Sequence, residues 1–121
     1  MALILIIDDD GQIREMLKKT LEREGYDVIT AVDGIEGIRT YLENSVDLII
    51  TDIVMPRKEG LEIIQYFQSH YPEAKIIAIS GGGRLEPENY LCLAERFGAW
   101  RTLSKPIERA ELLKIVQEAL A

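Results

Sequence analysis

Short apolar runs of strand length recur along this chain, and each is followed by a segment with apolar residues at helical spacing. Leu3–Ile7 and Leu48–Ile50 are continuous runs rich in β-branched residues, a composition typical of strands buried on both faces. We expect further strands at Asp27–Ala31, Ala74–Ile79 and Arg101–Ser104. A fivefold alternation of strand and helix predicts an α/β fold, with a parallel sheet covered on both faces and right-handed crossovers.

Helices are predicted after each strand by apolar residues three and four positions apart. Asp10 and Asp33 are suited to cap two of them at the N-terminus, and Gly25 is suited to end the first. Glu108 is a weaker cap for the last helix. The first predicted helix contains Ile13–Leu21, and the second contains Ile38, Tyr41 and Leu42. The third runs from about Lys58 to His70 and directs Leu61, Ile64 and Phe67 inward. The fourth covers Tyr90–Phe97 and is closed by Gly98, and the last contains Leu112–Leu120.

Length and charge narrow the classes of protein to which the chain can belong. At 121 residues it has the length of one domain, so we expect a single domain over residues 1–121. No apolar run approaches the ~20 residues that span a bilayer, and no signal peptide is visible, so we expect a soluble, cytoplasmic protein. The net charge of −7 argues against direct nucleic-acid binding by this domain. Single Cys92 and His70 residues exclude an internal disulfide and a Cys/His zinc site, and disfavour a Ser-His-Asp triad.

Polar side chains follow four of the predicted strands at the point where each strand ends. They are Asp8, Asp9 and Asp10 after the first strand, Asp52 after the third, Ser80 after the fourth and Lys105 after the fifth. Because the carboxyl ends of parallel strands share one edge, these groups should converge. Carboxylates about 4 Å apart repel by about 4 kcal/mol at an effective dielectric near 20, so the acids must take up protons or bind a cation. An all-oxygen site of this kind suits Mg²⁺, and an aspartate can itself accept a phosphoryl group as a mixed anhydride.

Four motifs in succession carry a resemblance to a known family. Ile-Ile-Asp-Asp, Leu-Ile-Ile-Thr-Asp-Ile-Val-Met-Pro, Ile-Ser-Gly and Ser-Lys-Pro resemble the signatures of the receiver domain of bacterial two-component response regulators, over essentially the whole chain. The resemblance implies a flavodoxin-like (βα)5 fold, a three-layer sandwich with a five-stranded parallel sheet in the order 2-1-3-4-5. It also implies a phosphorylation-activated signalling switch rather than an enzyme.

The same resemblance implies roles for the acids. Asp52 would be the phosphoacceptor, receiving its phosphoryl group from a sensor histidine kinase or a phosphotransfer protein. Mg²⁺, or Mn²⁺ in its place, would be bound by Asp9, Asp52 and the backbone carbonyl of Val54, with Asp8 acting through a bound water. From the residues themselves, Asp10 is a helix cap rather than a ligand.

The resemblance also assigns the switch, and here the chain departs from the family. Ser80 would hydrogen-bond the phosphoryl oxygens and draw the following loop inward. Lys105 would pair with Asp52 at rest and with the phosphoryl group afterwards, and its bond to Pro106 is often cis in the family. The family usually has an aromatic residue three positions before this lysine, where the chain has Thr102. We therefore expect the switch to run through Ser80 and its loop, with a muted side-chain component.

Two further expectations concern the segment after Ser80 and the surface that an output domain or partner protein would bind. Three successive glycines, Gly81–Gly83, and a connection longer than usual predict a mobile loop and a displaced fourth helix. By resemblance, an output domain or partner protein could bind the face of the fourth helix, fifth strand and last helix, including parts of 89–97 and 111–117. A homodimer is a further possibility, with no surface assigned to it.

Three other readings remain open at this point. A haloacid-dehalogenase-like phosphatase would use Asp8 as nucleophile, but it needs a further acidic pair after the lysine's strand, and none follows Lys105. A non-phosphorylated pseudo-receiver would serve only as an interaction module, yet such proteins typically lose a site residue that is present here. A flavin-binding protein of the same fold would need a phosphate cradle after Ile7, where this loop is acidic.

Overall fold

The sheet has the predicted order. The computed structural model of the chain describes residues 2–53, 59–80 and 98–121, the first three of the second range by their backbone alone. Five parallel strands form one sheet, β2-β1-β3-β4-β5. They are β1 (Leu3–Ile7), β2 (Asp27–Ala31), β3 (Leu48–Asp52), β4 (Ile76–Ser80) and β5 (Arg101–Ser104). β3 and β4 are buried along their whole length, which explains their nearly continuous apolar sequences.

Four helices lie within the described part of the chain. They are α1 (Gly11–Arg23), α2 (Gly34–Glu43), α3 (Glu59–His70) and α4 (Arg109–Leu120). The prediction of β4 began two residues too early, at Ala74. The helix predicted at Tyr90–Phe97 and the loop at Gly81–Gly83 lie outside the described residues. None of the described helices is both long enough and apolar enough to cross a membrane.

Two apolar layers, one on each face of the sheet, hold the helices in place. Successive strand residues point to opposite faces, so Ile4 and Ile6 of β1 pack with buried residues of α1 and α4. Leu5 and Ile7 pack on the other face with α3, where Phe67 is fully buried. This arrangement confirms the predicted three-layer sandwich. It leaves the two ends of the strands as the places where polar groups can collect.

The helix ends follow the predicted capping pattern in most respects. The Asp10 carboxylate accepts hydrogen bonds from the Gln12 and Ile13 amides, and Asp33 accepts one from Glu36. Glu108 precedes α4 without a side-chain cap bond, as expected of a weak cap. The C-cap of α1 is Glu24, and Gly25 follows it with a φ of 92°. The C-cap is thus one residue earlier than predicted, and Gly25 takes the left-handed position that follows the cap.

Helix α2 packs closely on β1 at a glycine, where the Ile7 side chain occupies the space that a Cβ would take. A Cβ on Gly37 would lie 2.5 Å from Cδ1 of Ile7. A side chain at position 37 would therefore require the Ile7 side chain or helix α2 to shift. Gly37 therefore sets the distance between α2 and the strand that leads into the acidic turn.

Candidate functional site

The predicted polar groups meet at the carboxyl edge of the sheet. Asp52 is the last residue of β3 and is paired with Ile79, while Ser80 at the end of β4 is paired with Ser104. The Lys105 amide donates to the Ser80 carbonyl oxygen at 2.8 Å, which continues this ladder past the end of β5. The register of the parallel strands therefore brings residues from distant parts of the sequence to one edge.

Three carboxylates form a cluster at this edge. Asp8, Asp9 and Asp52 each offer one oxygen, and the three oxygens lie within 4.8 Å of one another. Asp8 and Asp52 are buried and Asp9 is exposed. At an effective dielectric near 20, each pair of charges at this separation repels by at least about 3 kcal/mol. The predicted meeting of acids from the first and third strands is thus confirmed, and the cluster favours cation binding.

Asp8 carries the clearest electrostatic signature. Burial raises the pKa of its carboxyl from 3.8 to about 6; the Asp10 amide and the Lys105 ammonium act to lower this pKa, and the Asp52 and Asp9 carboxylates act to raise it. Asp8 Oδ1 accepts the Asp10 N–H at 2.8 Å. Its other oxygen, Oδ2, is buried and has no hydrogen-bond partner among the residues that the structure describes. A buried oxygen without a donor suits a cation or a cation-bound water.

Lys105 and Asp52 form an ion pair across the edge. The Lys105 Nζ lies 2.8 Å from Asp52 Oδ2, and the two side chains are 22% and 4% exposed. The Lys105–Pro106 peptide bond is cis, as the family resemblance predicts. One ammonium beside three carboxylates leaves two unbalanced negative charges when all are ionised. That balance and the all-oxygen donor set fit a divalent cation such as Mg²⁺.

The resemblance links two positions to switching: Ser80, at the carboxyl edge, and Thr102, within β5. The Ser80 side chain is buried, and its Oγ has no hydrogen-bond partner within the described ranges. Thr102 is paired with Ala78 in the middle of β5, where the family usually has an aromatic side chain. Trp100 does not replace that aromatic residue, because its amide bonds to the Ile76 carbonyl at the opposite end of β4. Its ring faces the Arg101 guanidinium there, 4.2 Å from ring centroid to Cζ.

Some predicted features cannot be placed, and one contact was missed. Val54, whose carbonyl the resemblance assigns to the metal, lies outside the described residues, as does the predicted helix at Tyr90–Phe97. Arg14 was not predicted to lie at the site, yet its Nη1 donates to the Asp8 carbonyl oxygen at 2.7 Å. An arginine four residues after a helix cap can reach back over the preceding turn. Spacing alone does not distinguish such an arginine from one that points to solvent.

Comparison with known proteins gives the same family throughout. A sequence model described as "Response regulator receiver domain" matches residues 4–117. The "DNA-binding transcriptional regulator NtrC" of Azospirillum brasilense is 38% identical over 119 residues, which are 98% of this chain and 24% of that protein. The chain spans about a quarter to a half of the length of the first curated relatives that it matches.

Solved structures agree in fold. A response regulator receiver domain protein from Clostridium thermocellum is 34% identical, with a TM-score of 0.89 over 99% of this chain and 94% of that one. Response regulator protein TrrA from Thermotoga maritima, solved in complex with Mg(2+)-BeF, is 32% identical, with a TM-score of 0.84 over 99% of this chain and 100% of that one. With the acidic cluster at the carboxyl edge and the family match over almost all of its length, this chain belongs to the response regulator receiver domain family.

Proposed function

We propose that this chain is a phosphorylation-activated switch that accepts a phosphoryl group on Asp52 in a Mg²⁺-dependent reaction. One observation carries the proposal: Asp52 lies within 4.8 Å of the Asp8 and Asp9 oxygens and pairs with Lys105 at 2.8 Å. A carboxylate beside two other acids and an ammonium has both a place for a divalent cation and a partner for an incoming anion. Membership in the receiver family supports the same assignment.

The metal would be Mg²⁺ or Mn²⁺, held by Asp9, Asp52 and the Val54 carbonyl, with Asp8 acting through a bound water. When bound, it offsets negative charge on the phosphoryl oxygens. The buried Oδ2 of Asp8, which lacks a donor among the described residues, supports this assignment. TrrA of Thermotoga maritima, 32% identical, was solved with Mg(2+)-BeF, so a relative of this chain is known with that cation.

The transfer itself needs few protein groups. An oxygen of Asp52 attacks the phosphorus of a phosphohistidine, the new O–P bond forms as the P–N bond breaks, and the electron pair leaves with the imidazole. Lys105 then pairs with the phosphoryl oxygens. Ser80 Oγ, which is buried without a hydrogen-bond partner among the described residues, donates to one of them. The chain accordingly serves as a phosphoacceptor and assists only its own phosphorylation and dephosphorylation.

The added charge supplies the switch. A phosphoryl group adds one to two negative charges at neutral pH, and Lys105 and Ser80 stabilise them best when the loop after Ser80 moves inward. The population therefore shifts toward that conformation. With Thr102 where the family has an aromatic residue, we propose that the loop carries most of the change.

Partners and location follow from the family. The donor would be a sensor histidine kinase or a phosphotransfer protein in the cytoplasm. The phosphorylated domain would be recognised by an output domain or a partner protein. The binding face would include β5, α4 and residues 89–97, of which the last lie outside the described ranges. A second copy of the chain is another candidate partner. One relative is named a DNA-binding transcriptional regulator, but the acidic charge of this domain makes it a poor direct ligand for nucleic acid.

Phosphorylation with acetyl phosphate and Mg²⁺, followed by mapping of the modified residue, tests the proposal. We expect one phosphoryl group on Asp52, none after Asp52→Asn and none with EDTA. Asp27→Asn, at an exposed aspartate on β2, is the control and should label like the wild type. Label on Asp8 would favour the phosphatase reading, and no label on any residue would favour a pseudo-receiver. A yellow purified protein would point to a flavin.

A further inference from the structure

The turn that carries two of the three acids is held mainly through Asp8 and Asp10. The Asp8 amide bonds to the Ala31 carbonyl at 3.2 Å, and the Asp10 amide bonds to Asp8 Oδ1 at 2.8 Å. Asp10 in turn caps α1. Asp9 lies between them and is exposed, so the backbone on either side of it determines where its carboxylate lies.

Arg14 reaches back from the first turn of α1 onto this segment. Its Nη1 donates to the Asp8 carbonyl oxygen at 2.7 Å in a partly buried bond. Its Nη2 lies 3.4 Å from the position of a Cβ built on Gly11, so the guanidinium spans the turn from Asp8 to Gly11. The Arg14 amide bonds to the Asp10 carbonyl at 3.0 Å. Arg14 therefore contacts the turn through both its backbone and its side chain.

We propose that Arg14 is a positioning residue for the metal site: its guanidinium clamps the Asp8 carbonyl so that Asp8 and Asp9 stay directed at Asp52. The repulsion among the three carboxylates drives this turn away from β3. A charge-assisted hydrogen bond to a carbonyl inside the turn opposes that movement. Arg14 is not one of the residues proposed to hold the cation, and its role in metal binding rests on the proposed function.

The test compares Arg14→Met with the wild type. Methionine keeps an unbranched apolar stem but has no N–H donor. Arg39→Met, at an exposed arginine on α2, removes the same charge from a different helix and is the matched control. Arg14→Gln is a second variant that removes the charge and keeps a polar side chain. Urea unfolding of each protein checks that the fold is intact.

The first measurement needs no metal. Amide hydrogen exchange at Asp10 should be about 10-fold faster in Arg14→Met than in the wild type. This factor corresponds to the lower end of the free energy contributed by a hydrogen bond to a charged group. Exchange at Glu36, whose amide bonds to Asp33 at 2.9 Å, should change less than about 2-fold because that cap lies on another helix. Equal exchange at Asp10 in variant and wild type would overturn the clamp.

The second measurement is Mg²⁺ titration of the unphosphorylated protein. We expect Arg14→Met and Arg14→Gln to bind Mg²⁺ about 10-fold more weakly than the wild type, as for other residues that orient metal ligands, and Arg39→Met to match the wild type. The ratio should persist in about 1 M salt, where the screening length falls to about 3 Å. A ratio that disappears in salt would mean a general effect of charge and would overturn the inference.

The two proposals fail in different ways. If the wild type labels on Asp52 and binds Mg²⁺ while the Arg14 variants bind it equally well, the clamp alone is wrong. If the wild type neither labels nor binds Mg²⁺, the proposed function is wrong, and Arg14 loses its role at a metal site. The exchange experiment still decides in that case whether Arg14 holds the turn.

Discussion

Replacing Asp8 by asparagine tests whether the acidic cluster destabilises the metal-free domain. The Asp8 side chain is buried, its Oδ1 accepts the Asp10 amide at 2.8 Å, and its Oδ2 lacks a partner among the described residues. Asparagine keeps the shape and the Oδ1 acceptor while removing the charge. The substitution therefore isolates the cost of holding a carboxylate in this place.

The magnitude follows from the pKa of Asp8, which burial raises from 3.8 to about 6. Two pKa units correspond to about 3 kcal/mol. Because the folded pKa lies above the unfolded one, the folded state binds more protons between about pH 4 and pH 6, so the free energy of unfolding falls as pH rises through this window. The penalty is complete near pH 7. We expect Asp8→Asn to raise the free energy of unfolding of the metal-free protein at pH 7 by about 1–3 kcal/mol. The lower values allow for the cost of burying the polar amide of asparagine.

Urea unfolding in EDTA at several pH values provides the assay. At about pH 4 the difference in free energy of unfolding between Asp8→Asn and the wild type should be close to the value it has when Asp8 is protonated. It should grow as pH rises and reach its full size at about pH 7. In thermal unfolding, the neutral-pH difference corresponds to a shift of about 4 °C per kcal/mol for a domain of this size. Saturating Mg²⁺ should stabilise the wild type more than the variant. Asp27→Asn, at an exposed aspartate on β2, is the control for removing a carboxylate outside the acidic cluster.

Two results would contradict this reasoning. A variant less stable than the wild type at neutral pH without metal would mean that the Asp8 carboxylate stabilises the domain. A difference of the same size at acid and neutral pH would mean that the effect of the substitution does not come from ionisation.

Three further predictions concern packing, capping and the metal. Gly37→Ala should lower the free energy of unfolding by about 1–3 kcal/mol, because its Cβ would lie 2.5 Å from Ile7 Cδ1. Adding Ile7→Val to this variant removes Cδ1 and should recover part of the loss, whereas an unchanged urea midpoint in Gly37→Ala would refute the close approach. Asp33→Ala should cost about 1 kcal/mol in the same assay through loss of the bond to the Glu36 amide, whereas equal stability would mean that the cap contributes nothing. The Mg²⁺ affinity measured by titration should fall below about pH 6, because protons compete at Asp8, whose pKa burial raises to about 6; constant affinity from neutral pH to about pH 5 would exclude Asp8 from the site.

Much of the framework could be predicted because its signals are local. The apolar run Leu3–Ile7 ends as β1 ends, and the caps at Asp10 and Asp33 lie where short acidic side chains precede helical spacing. Strand order came instead from the family resemblance, since periodicity does not say which strands are neighbours. Boundaries set by hydrogen bonding were less predictable: β4 begins at Ile76 rather than Ala74.

The convergence of the acids was also predictable, but not their energetics. Parallel strands with polar residues at their carboxyl ends place Asp8 and Asp52 at one edge whatever the details of packing. The raised pKa of Asp8 depends on how completely the surrounding elements exclude water. The contact of Arg14 with the Asp8 carbonyl depends on a side-chain conformation over the turn, which spacing does not specify.

The sequence by itself determined the alternation of strands and helices and the cap residues, because each depends on residues close together in the chain. It also determined which polar groups share one edge, because parallel strands place their carboxyl ends on the same side of the sheet. Tertiary structure alone decided the environment of those groups: which carboxyl oxygen is left without a donor among the described residues, how far burial raises the pKa of Asp8, and that Arg14 contacts the Asp8 carbonyl. These properties depend on distances between atoms from separate elements and on the water excluded between them. Such quantities exist only once the layers have packed.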